Sequence, residues 1–264
     1  MPDVDAAIRD LTAARRAVRD ERRETQRQRR GFEQFRATVA ETEPVSAGGT
    51  AERLGSPSPG WTTGATATTD DRCRRVRAAF EEHVVPHVDD ESATVRAVLA
   101  AELSTEVAVA LASTGGGNRF TQPLQRAILE HVEQRLAESR VMCRALAIEL
   151  DSLDSAIETL KHVDQSLPAV DASVRILSED ADLWMRRERA ASLEDDLDAA
   201  IRERQSTLES VTATEVKAGI GHDTVVEYLF GEREVTYPAL DALLRGVREC
   251  RRRRDELDDA LGDR

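Results

Sequence analysis

Among the 264 residues, five histidines and three cysteines are the side chains that most readily bind a metal or act as nucleophiles. His83 and His87 stand four apart, which on an unbroken helix puts two imidazoles on one face, as a zinc site requires. Pro86 lies between them, and Cys73, Asp89 and Asp90 offer no third ligand at a clear spacing. The pair reads as two half-exposed histidines near a helix end. A di-iron bundle needs Glu-x-x-His, but Phe80, Val84, Ile128, Thr159 and Gly219 precede the five histidines by three. Cys73, Cys143 and Cys250 are far apart and form no CxxC, so they read as reduced thiols packed as small apolar groups. Gly115-Gly116-Gly117 comes after a helical pattern and leads to Asn-Arg-Phe-Thr. A phosphate loop comes after a strand and leads through Lys-Ser/Thr into a helix, so these glycines read as a turn. There is no GxSxG, no locally supported Cys-His pairing, and no carboxylate pair distinguishable from a solvated acidic face. The expectation is a non-enzymatic chain with no catalytic residue, no cofactor and no metal.

Arginine is the other chemistry-bearing residue. Residues 15 to 30 hold eight Arg against three acids, and Arg251 to Arg254 form a second run. Such stripes are the electrostatic footprint of nucleic-acid binding. Against it stand the net charge of -13 and the lack of aromatic side chains among the arginines. The helix opening Pro238-Ala239-Leu240-Asp241 also offers nothing suited to base edges or phosphate. A nucleic-acid-binding regulator acting through the arginine-rich N-terminal segment is the alternative reading.

The elements that must carry these residues can be read from composition and period. Only 3% of residues are aromatic, against 33% charged, which argues against an aromatic-rich β-sandwich and a deep apolar pocket. The longest apolar run, Val107 to Ala112, is far short of the ~20 residues of a membrane span, and the acidic start is unlike a signal peptide. A cytoplasmic protein without membrane partners is expected. No segment alternates with period two, so the fold class is all-α.

Residues 3 to 41 read as one helix whose stripe, Val4, Leu11, Val18, Thr25, Phe32 and Val39, recurs every seven positions. With Ile8, Arg15, Arg22, Arg29 and Arg36 as its companion position, the stripe is one residue wide. Residues 1–43 are therefore expected to form a helical arm outside the core. Val4, Leu11, Val18, Phe32 and Val39, flanked by Arg15, Arg22, Arg29 and Arg36, would bind an acidic helix of a protein partner or of a second copy. Residues 44–70, rich in Gly, Pro, Ser and Thr, read as a flexible linker containing Trp61 and open to protease. Residues 71–264 form a helical domain. In it a full heptad, with Leu136, Leu146, Leu150, Leu153 and Leu160 on its seam, builds one helix from about Thr121 to Leu167. A short connection then leads to a second helix with Leu183, Ala190, Leu197, Arg204 and Val211 every seven, so residues 122–215 are expected to be a long antiparallel, coiled-coil-like hairpin with shorter packed helices.

The stretches HVVPHVDDE (83 to 91), RERQSTLE (202 to 209) and EYLFGEREVTYPALDALL (227 to 244) resemble an uncharacterised haloarchaeal family of acidic helical proteins. The resemblance covers about residues 71 to 261 and implies a helical fold and a halophilic cytoplasm, without transferable site residues. The composition agrees with it: Lys161 and Lys217 are the only lysines against 35 arginines, with 50 Asp and Glu. The expected function is a helical scaffold or protein-interaction module of a halophile, with homo-oligomerisation as one form of it. Repulsion within a chain this acidic is screened over about 3 Å at 1 M salt but reaches about 30 Å at 0.01 M. Helical circular dichroism and melting temperature should therefore rise with KCl; a melting temperature flat between about 0.05 and 2 M would count against salt adaptation.

Overall fold

The computed structural model describes residues 2–45, 71–88, 93–112, 119–170, 180–209 and 221–262. Among these residues there are eight α-helices and no strand. They are α1 (Pro2–Glu41), α2 (Asp71–His83), α3 (Val95–Glu102), α4 (Thr105–Ala112), α5 (Gln122–Ser166), α6 (Asp180–Glu209), α7 (His222–Phe230) and α8 (Pro238–Gly262). Single 3-10 segments come after α2 (Val85–His87) and α5 (Leu167–Val170). The all-α class is as the periodicity implies. The expected linker from residue 46 onward, with Trp61, lies outside the described residues, as do the triple glycine and Val211.

The chain forms two compact units: residues 1–22 with 141–264, and residues 23–140. These units do not coincide with the boundaries read from the sequence, because α1 contributes to both.

In the first unit, Val4, Ala7, Leu11, Ala14 and Val18 of α1 belong to the core. They pack in one cluster with Leu146, Leu153, Leu160 and Val163 of α5, Leu193 and Leu197 of α6, Val226 and Phe230 of α7, and Leu243 and Val247 of α8. The α5–α6 arrangement is antiparallel. Glu149 meets Arg204, while Leu160 and Leu197 both lie against Gly246, so position rises along α5 as it falls along α6. Helix α8 is antiparallel to α6 as well: Arg251 and Arg254 bind Glu194, while Arg187, nearer the start of α6, binds Asp258. The seam leucines Leu146 and Leu153 are fully buried.

In the second unit, Phe32, Phe35 and Val39 of α1 share a core with Cys73, Val76 and Phe80 of α2, Leu99 of α3, Leu111 of α4, and Ile128, Val132 and Leu136 of α5. Phe35 and Phe80 meet edge to face, with centroids 5.3 Å apart. Val95, Val98, Leu99, Leu103, Val107 and Leu111 keep a continuous helical spacing, yet the stretch forms two helices. The backbone turns at Leu103 (φ -117°, ψ -84°), and Ser104 Oγ accepts from the Val107 N–H to start α4 afresh. The end of α1 has no basic residue in its last turn; instead the Gln125 side-chain amide donates to the carbonyls of Val39 and Thr42.

The expectation that α1 stands outside the core is therefore corrected. Its stripe is two residues wide because the companion position is i+3, not i+4: Ala7, Ala14 and Phe35 complete it. Alanine buries little area by itself but lets neighbouring helices come close. Gly31 takes this to its limit, since a Cβ there would lie 2.0 Å from the His83 carbonyl oxygen. Gly31→Ala should lower stability by about 1–3 kcal/mol in urea melts, although alanine favours helix by about 1 kcal/mol. Leu11→Ala should cost about 2–5 kcal/mol. A loss below about 0.5 kcal/mol for Leu11→Ala would place α1 outside the core after all.

Candidate functional site

Among the described residues of the first unit, the most enclosed polar side chain is a carboxylate. Glu149 of α5 is wholly buried, as are Arg204 of α6 and His222, the first residue of α7. Arg204 Nη1 donates to Glu149 Oε2 at 2.7 Å and Nη2 to Oε1 at 3.1 Å, a fork-on-fork pair. Nη1 also donates to Ser152 Oγ at 3.0 Å. His222 Nε2 lies 3.0 Å from Glu149 Oε2, so Nε2 carries the proton and donates. Arg204 Nε and His222 Nδ1 are buried without a hydrogen-bond partner among the described residues. Both oxygens of Glu149 are thus occupied by side chains of the same chain, and the cluster ties three helices together at one charge. Beside it is a cleft of about 220 Å³, walled by Ile148, Ala156, Ala200 and Leu243 with Ser152, Ser155 and Thr207.

A second set of charges joins α6 to α8. Glu194 accepts from Arg251 Nε and from Arg254 Nη1, and Glu249 pairs with Arg252 and Arg253. Burial alone would raise the Glu249 carboxyl, but the hydrogen bonds from Arg252 and Arg253 outweigh it and hold it below the usual carboxylate range. Cys250 lies between these acids. Burial, with Glu194 and Glu249 nearby, pushes its thiol up to about 12, so at neutral pH it is protonated and a poor nucleophile.

Of the residues expected to bind a partner, Val4, Leu11 and Val18 are covered in the first unit's core, and Phe32 and Val39 in the second's. Arg15 pairs with Asp154, Arg29 with Glu33 and Arg36 with Glu133; Arg22 is half-buried. The apolar residues of the expected partner-binding stripe are therefore covered within the chain, and Arg15, Arg29 and Arg36 beside them are paired there. Much of the basic run at 251–254 is likewise neutralised by Glu194, Glu249 and Glu256. His83 ends α2 while His87 lies in the 3-10 turn after Pro86, so helical spacing does not apply to the pair. His87 Nδ1 is 3.7 Å from Glu24 Oε1, and no group of three metal-binding side chains occurs among the described residues.

Residues 9–254 match the model of a family described as Domain of unknown function (DUF7260). The chain belongs to that family. No curated protein and no solved structure matches it.

Sequence reasoning missed the Glu149–Arg204–His222 cluster. The available signal was Arg204 at a seam position among Leu183, Ala190 and Leu197, where a charge must be paired when buried. Nothing local marks Glu149 or His222 as its partners. Arg204→Ala leaves Glu149 buried with one cation fewer and should cost about 3–5 kcal/mol. Replacing Glu149 and Arg204 together by leucine should recover most of that loss. Equal denaturant midpoints for Arg204→Ala and the wild type would show that the pair is solvated.

Proposed function

We propose that this DUF7260 protein is a non-catalytic helical interaction module of a salt-adapted cell, and that it binds protein through the N-terminal part of α6. The observation that carries this reading is the exposure of Trp184 and Met185, 57% and 66% respectively, in a chain with nine aromatic residues. Arg187 stacks on the Trp184 ring with its guanidinium 5.6 Å from the centroid, and Asp258 holds that arginine in place. The indole is thus presented on an ordered helix with an organised charged rim. Tryptophan and arginine are among the residue types that most often carry binding energy at protein interfaces, and methionine adapts its shape to a partner. Salt adaptation favours such a contact, because apolar burial persists where exposed charges are screened.

The non-catalytic part of the reading is supported by the cluster at Glu149, whose oxygens are both taken by Arg204 and His222 and so present no base to the cleft. The arginine pairing in α1 and α8 weighs against the nucleic-acid alternative. The test is affinity capture of the tagged full chain from its native high-salt lysate, with a nuclease-treated control. Trp184→Ser combined with Met185→Ser should reduce the captured protein at least about tenfold, the equivalent of about 1.4 kcal/mol. Capture unchanged by the double substitution, or abolished by nuclease, would overturn the reading.

A further inference from the structure

We infer that the partner is a second copy of this chain, bound through the exposed edge of α6 in antiparallel orientation; this rests on the reading of α6 as the contact element. Met185 and Glu203 are eighteen residues apart, five helical turns, so they project from the same edge about 27 Å from one another. Between them the edge carries Arg189, Ser192, Asp196 and Ala199, all exposed. At one end stands the exposed Met185. At the other end, where Glu203 lines its wall, opens the cleft of about 220 Å³ with its apolar residues Ile148, Ala156 and Ala200. A protruding thioether and a recess therefore lie on one edge of one helix.

A twofold axis crossing α6 near residue 194 exchanges the two ends. It sets Met185 of each copy over the cleft of the other, and a contact that uses the same patch twice closes on itself as a dimer. Charge selects the same orientation. Residues 180–190 of α6 hold three acids and three arginines, whereas residues 194–203 hold Glu194, Asp195, Asp196, Asp198 and Glu203 against Arg202 alone. Antiparallel pairing puts Arg189, which makes no ion pair among the described residues, between Asp196 and Glu203 of the second copy. Parallel pairing would stack the acidic halves on each other. At the middle of the edge Ser192 and Ala199 are small, which allows two helices to approach closely. The apolar ends supply affinity, and the charges set the register.

The experiment uses the full chain with Cys143→Ser, leaving the buried Cys73 and Cys250 in place. Met185→Cys and Glu203→Cys are introduced together and separately, and each protein is oxidised mildly at high salt. The two positions are far beyond disulfide reach within one chain, where Cα atoms must come within about 7 Å. A covalent dimer from the doubly substituted chain, absent from either single variant, and a light-scattering mass twice that of the chain for the unmodified protein, are the expected results. Three results would overturn the inference: a monomeric mass at every concentration, a dimer that the paired cysteines do not link, or a dimer linked by one of the single variants. If the chain is monomeric while the Trp184→Ser, Met185→Ser variant still loses another captured protein, the second copy is excluded and the proposed function stands.

Discussion

A chain with 3% aromatic residues must build its cores from Leu, Val and Ala, and such side chains bury enough surface only when helices come close together. Helix α1 shows how this constraint is met. Its seam alternates valine or leucine with alanine at Val4, Ala7, Leu11, Ala14 and Val18, and all five are enclosed in the first unit. Farther along, where Phe32 and Phe35 replace the small residues, the same stripe fills the second unit's core. Close approach also explains two glycines in helix interiors, where glycine is otherwise unfavourable. Gly31 makes room for the end of α2, and Gly246 of α8 lies where Leu160 and Leu197 would stand 3.0–3.2 Å from any added Cβ.

The near-absence of lysine has a structural counterpart. The guanidinium is planar, always charged and able to donate in a fork, so it suits a carboxylate that is being removed from water better than an ammonium does. Glu149 receives Arg204 in this way, and Glu102 receives both Nε and Nη2 of Arg135. Exposed pairs such as Arg36 with Glu133 are worth a fraction of a kcal/mol and less in salt. The buried cluster at Glu149 is of another kind: its charges lie out of the solvent, where salt screens little. Its removal in part costs far more than its presence contributes, so it acts mainly to fix which helices meet and in what register. The cluster is a positional lock between α5, α6 and α7, and it keeps the wall of the adjoining cleft in place.

Helix identity, the extent of α5, and the antiparallel sense of its pairing with α6 were legible in the sequence, because a period of seven and a short connection are local properties of the chain. So was the absence of any apolar stretch capable of crossing a membrane as a helix, and no described helix is long and apolar enough to do so. Other features depended on partners distant in sequence. Whether α1 is an arm or part of a core turns on Ala7 and Ala14, since alanine suits a solvated face and a tight seam equally well. The pairing of Glu149 with Arg204 spans 55 residues and with His222 73 residues, and no local pattern encodes it. The break between α3 and α4, within a stretch whose apolar spacing is continuous, depends on Ser104, which could serve as a cap or as a surface residue until the chain around it is folded. Period and composition are properties of neighbours along the chain, and through them the sequence by itself determined the helices and their apolar faces. Burial of a charge, closeness at a small residue and exposure of a large one are properties of neighbours in space. The tertiary structure alone decided those.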